Sequence, residues 1–142
     1  MKNRLIGMIL MSLSVSWLGG CAVGQQIRYH DTELDLNASS NTIVAVTTQD
    51  YRPYVKDGEK DRSYVGNFRG GYGNPFNVTT ESGKPLADDM TSVICTSFRK
   101  KGVTCTPVSV EPKEPQAQVI EKLRATGANS LMLLTVDVLK PV

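Results

Sequence analysis

Apolar residues follow three different rhythms along this chain of 142 residues. From Leu5 to Leu18 they predominate, with no charge among them. From Ile43 to Val46 they are β-branched or small and occupy both faces, which predicts a buried strand. Leu86, Met90, Val93, Ile94 and Phe98 recur at the spacing of one helix face. Pro85 suits the first helical position, and Asp88 and Asp89 put negative charge in the first turn. Arg99, Lys100 and Lys101 suit the carbonyl end, and Gly102 predicts the stop.

The remaining pattern is shorter in period. Tyr51 to Val55 and Ser63 to Phe68 predict short strands, with a turn at Asp57-Gly58 between them. Gly70-Gly71-Tyr72-Gly73-Asn74-Pro75 predicts a loop, and Phe76 to Thr80 alternates as a half-buried strand. Val103 to Val110 predicts another strand. Pro115 opens a second helix with Ala117, Ile120 and Leu123 inward, ending at Gly127. Leu131 to Leu139 is the last strand, with Met132, Leu134, Val136 and Val138 on one apolar face. Strands first, then helices interleaved with strands, predict an α+β class: an antiparallel or mixed sheet with two helices packed on one face. Residues 42–142 are expected to form one such domain.

The first rhythm belongs to processing rather than to the fold. Met1-Lys2-Asn3-Arg4 is a basic start. The fourteen residues that follow span about 21 Å as a helix, short of a bilayer core of about 30 Å. The run ends in Leu18-Gly19-Gly20-Cys21, which resembles the lipobox of bacterial lipoproteins. The resemblance implies that residues 1–20 are a signal peptide cleaved after Gly20. Cys21 then becomes the first residue and carries palmitate-type acyl chains. One chain binds a membrane only marginally, whereas two or three hold it firmly. Ala22, where aspartate would retain such a protein at the inner membrane, implies the outer membrane, with the domain facing the periplasm. The alternative is an ordinary secretory signal that happens to precede a cysteine.

Processing changes the charge. Removal of Lys2 and Arg4 leaves 14 basic residues against 14 acidic ones, a formal net charge of zero. Nothing then draws the chain toward nucleic acid at long range. Residues 21–41, polar around Tyr29 to Glu33 and Asn37 to Asn41, are expected to be a flexible lipidated tether. Asp31, Glu33 and Asp35 alternate as in a calcium loop, but the turning glycine and closing glutamate of such a loop are missing, so no metal is expected. No cofactor is expected either.

An oxidising compartment leaves Cys95 and Cys105 as a candidate disulfide. Helix and returning strand cover similar distances between them, so the two can lie side by side; the alternative is two small buried thiols. Catalytic sets are hard to assemble. His30 is the only histidine and falls in the tether. Asp88 and Asp89 diverge by about 100° on a helix. The chain is therefore expected not to be an enzyme. The best candidate site is the glycine loop with its surroundings: Arg52, Tyr54, Arg69, Tyr72 and Asn74 combine cations, phenols and an amide where glycine lets a ligand come close. The competing reading is a wide hairpin whose glycines only permit turning and whose Arg69 pairs with a nearby acid.

Val44 through Arg52-Pro53, Gly66 and Phe68 to Pro75, and Ser82-Gly83-Lys84-Pro85-Leu86-Ala87-Asp88-Asp89 together resemble small bacterial lipoproteins of the YajG type. Their domain is broadly similar to that of the lipopolysaccharide-assembly lipoprotein LptE and of transport-auxiliary lipoproteins. The resemblance spans roughly residues 43–140. It implies a membrane partner through the lipid anchor and a binding or assembly role with an envelope protein. The alternatives are binding of envelope lipid or lipopolysaccharide, or an accessory role in peptidoglycan or glycan processing.

Overall fold

The computed structural model describes residues 25–36, 39 and 41–138. Residues 1–20, expected to be a signal peptide, and Cys21 lie outside these residues. The elements in chain order are β1 (Gln26–Ile27), β2 (Ile43–Asp50), α1 (Pro53–Lys56), β3 (Tyr64–Arg69) and β4 (Pro75–Thr80), then α2 (Leu86–Lys100), β5 (Thr104–Pro107), α3 (Gln116–Arg124) and β6 (Ser130–Val136). The class is α+β.

The strands divide into two sheets of three. In the first, β2 lies between β5 and β6, parallel to both. In the second, β4 lies between an antiparallel β3 and a parallel β1. The parallel sheet holds the core. Val44 and Val46 of β2 pack with Ile94, Cys95 and Phe98 of α2 and with Cys105. Ala45, on the other face of the same strand, packs with Val119 and Leu123 of α3.

The helices therefore lie on opposite faces of the parallel sheet, not together on one. The topology gives the reason. The crossover from β2 to β5 moves one way along the sheet, and the crossover from β5 to β6 moves back past β2. Parallel crossovers share one hand, so opposite directions put their helices on opposite faces. Both faces of β2 are consequently covered, and every residue from Val44 to Asp50 is buried.

Several elements differ from expectation. Residues 53–56 form a helical turn, not a strand, because Pro53 opens it and Lys56 N–H reaches the Arg52 carbonyl at 3.0 Å. In α3, Val119 is the deepest residue, while Ala117 faces solvent. Helix α2 stops at the expected glycine: Gly102 has φ +79, and Val103 N–H returns to the Phe98 carbonyl at 3.1 Å. The Cys95 and Cys105 sulfurs on either side of this turn are bonded at 1.96 Å, joining α2 to β5.

Residues 25–36 are also not a free tether. Gln26 and Ile27 add to the edge of β4. Leu34 and Leu36 pack against the α2-side core, and Leu34 N–H donates to Ser97 Oγ at 3.1 Å. Glu33 and Asp35, on the opposite side of this extended strap, pair with Lys100 and Lys101 at 3.2 Å each. Arg28 grips Glu81 with two bonds of 2.8 Å.

Candidate functional site

Strands β3 and β4 form an antiparallel hairpin in which Asn67 faces Asn77, Phe68 faces Phe76 and Arg69 faces Pro75. Alternation puts Val78, Phe76 and Phe68 on one face. Val78 is buried, Phe76 half-buried and Phe68 44% exposed, so the apolar face runs out of the core toward the tip. A short turn closes the hairpin. Gly73 N–H donates to the Gly70 carbonyl at 2.8 Å, and Gly70 N–H to the Asn74 carbonyl at 3.0 Å. Gly73 takes φ +78, a conformation that side chains resist. Gly70 also gives clearance: a Cβ there would stand 2.8 Å from the Phe76 ring, which would have to shift.

This turn places Tyr72 almost wholly in solvent, 99% exposed. Arg69 and Asn74 are exposed beside it. Among the described residues Arg69 has no carboxylate partner. The tip is thus a hydrogen-bonded turn that exposes a phenol, a guanidinium and an amide.

Arg52 does not join them. It is 3% exposed and holds Asp50 through Nε at 2.9 Å and Nη2 at 2.6 Å. Its Nη1 donates to the Val65 carbonyl at 3.4 Å, and its guanidinium lies 5.5 Å from the Tyr54 ring and 5.9 Å from the Tyr64 ring. Burial opposes the charge of Arg52, but the bonds and attraction of Asp50 outweigh it and its pKa is raised. Arg52 fastens the hairpin to the end of the central strand; it is a structural cation, and so is not a ligand-binding one. Tyr54 belongs to the same packing, edge-on to Tyr64 at 5.6 Å.

A second concavity has no counterpart in the sequence pattern. A groove of about 390 Å³ runs between the start of α2 and the end of β5, lined by Lys84, Asp88, Asp89, Ser92, Val108 and Ser109. A smaller hollow of about 140 Å³ adjoins it, where the docked strap contributes Tyr29 and His30. The groove lies at the carboxyl end of β5, beside the start of α2. Here the acids are already engaged. Asp88 accepts from Ser109 Oγ at 2.8 Å and Asp89 from Ser82 Oγ at 2.6 Å. The Tyr29 hydroxyl is pushed up in pKa, first by burial and then by Asp89, with Arg52 opposing. The signal for this groove is the parallel order of β2 and β5, which residue patterns alone do not fix.

The acids that alternate as in a calcium loop are spread apart. Asp31 turns to Arg28, Glu33 to Lys100 and Asp35 to Lys101. Among the described residues no group of three His, Cys, Asp or Glu side chains is placed to hold a metal ion. No helix among them is long and apolar enough to cross a membrane. Comparison of the chain with protein families, curated proteins and solved structures finds no match.

Proposed function

We propose that this protein is a lipid-anchored, periplasm-facing module of the outer membrane that works by binding, holding an envelope component through the β3–β4 hairpin. The observation that carries the reading is Tyr72, 99% exposed at the end of a hairpin fixed at its base by a buried ion pair. Exposed aromatic residues on a rigid support lose little conformational freedom on binding, which is why they dominate recognition surfaces. Arg69 adds a guanidinium free to grip phosphate or carboxylate. The membrane address rests on Leu18-Gly19-Gly20-Cys21 and the basic start before it.

In vivo photo-crosslinking from position 72 tests the reading. Adducts to an envelope protein or lipid are expected, reduced by Arg69→Ala. If no adduct forms, and the Arg69→Ala Tyr72→Ala double variant leaves the envelope unchanged, the hairpin is not the contact element.

A further inference from the structure

The start of β1 and the tip of the hairpin lie toward the same end of β4. β1 runs parallel to β4, with Gln26 opposite Thr79 and Ile27 opposite Thr80. The Gln25 carbonyl extends the pairing by accepting from Thr79 N–H at 3.2 Å. β4 starts at the tip with Pro75 and runs inward to Thr80. Followed back toward its beginning, β1 therefore heads for the tip. Gln25 follows Cys21 by only four positions. Four residues reach at most about 14 Å. Gln25 lies level with Val78, and the three strand residues from there to Pro75 cover about 10 Å. An anchored Cys21 thus holds the membrane surface within reach of the tip.

The tip has the chemistry to meet that surface. From Tyr64 to Thr80 there is no acidic residue, and the single charge is Arg69. Phe68, on the opposite face of the hairpin, is 44% exposed, and Tyr72 stands clear of the protein. Aromatic rings with a polar edge settle at the headgroup level of bilayers, and a cation there meets anionic headgroups. A protein partner would not require the tip to lie within reach of the anchor.

We infer that the tip formed by Phe68, Arg69 and Tyr72 is a second membrane contact, seated among the headgroups of the same leaflet that holds Cys21. The inference rests on the lipid-anchor reading above and names the surface that the hairpin binds. A lone acyl anchor lets a domain swivel; a second contact fixes its orientation.

The test uses the full chain, processed in bacteria and reconstituted into vesicles of phosphatidylethanolamine and phosphatidylglycerol. The only natural tryptophan, Trp17, lies in the leader, so Tyr72→Trp supplies the sole reporter after cleavage. Gln118→Trp, on the exposed side of α3, is the reference. Brominated acyl chains are expected to quench most of the emission from position 72 and little from position 118. Mass spectrometry of the N-terminal peptide reports acylation of Cys21 on the same samples. Acylated Tyr72→Trp protein whose emission stays unquenched overturns the second contact alone, and so does an emission shift that needs added envelope proteins. Protein without acyl groups overturns the anchor reading and this inference with it.

Discussion

Arg52 and Arg69 have the same side chain and opposite surroundings. Both stand near aromatic and glycine residues in the sequence, and residue type alone marks both as ligand-gripping cations. Arg52 is instead enclosed with Asp50, both about 4% exposed at the side chain. Removing one partner of a buried pair leaves the other charge stranded, at a cost of about 3–5 kcal/mol. Arg52→Ala is therefore expected to lower the midpoint of thermal or urea unfolding markedly. Tyr72→Ala removes a side chain that stands in solvent and should stay within about 0.5 kcal/mol of the parent. Equal, small effects of the two substitutions would contradict the assignment of Arg52 to the scaffold and Tyr72 to the surface. The sequence does hold a clue: Asp50 and Arg52 are two apart in extended chain, a spacing that sets both side chains on one side. The exposure of Tyr72 is legible from its glycine neighbours. The burial of Arg52 is not, because Tyr54, Tyr64 and Val65 enclose it only once the hairpin folds back.

At the scale of elements, helix periodicity is legible and strand partnership is not. The face of α2 follows from its own spacing. Which face of the sheet each helix covers depends on the order β5-β2-β6, a property of pairing between distant segments. The Cys95–Cys105 link can be argued from local distances, since helix and strand are joined by one tight turn. Its loop closes ten residues of separation, which in the chain-entropy description stabilises by about 2–3 kcal/mol. Cys95→Ser is expected to lower urea stability by that amount, and non-reducing peptide mapping of periplasmic protein should recover the two cysteines as one linked peptide. Free thiols at both positions would contradict it.

Among the elements, the strap at residues 25–36 departs furthest from expectation. Glu33-Leu34-Asp35-Leu36 alternates acid and leucine, the period of an extended segment with one apolar side, and the leucines meet the core while the acids meet lysines. Its outer fastening is electrostatic. Arg28 holds the Glu81 carboxyl below the usual range, mainly through its hydrogen bonds. A pKa lowered in the docked state contributes stability above the ordinary glutamate value, and that contribution is lost as pH falls through the lowered value. Hydrogen exchange of the Arg28–Leu36 amides should therefore show less protection in acid than at neutral pH, and less in high salt. Unchanged protection across that range would mean that Leu34 and Leu36 hold the strap unaided.

At the scale of the molecule, the chain divides into a body and an arm. The parallel sheet with α2 and α3 is the stable body, and the β3–β4 hairpin is an arm fastened to it by Arg52. The strap runs along the body, and β1 joins the inner end of β4 at Thr79 and Thr80. In the proposed arrangement anchor and arm work as one device: the lipid decides which membrane, and the hairpin decides how the body faces it. The outline of the groove beside Asp88 and Asp89 depends on strand order, so residue patterns alone do not reveal it.

Both proposed contacts depend on what becomes of Cys21. The most direct measurement is the mass of the N-terminal peptide of protein recovered from bacterial membranes. A lipid-anchored protein yields a chain that begins at Cys21 and carries a diacylglyceryl thioether, with or without an added N-acyl group. A chain that begins at any other residue, or a Cys21 with a bare thiol, would contradict the anchor.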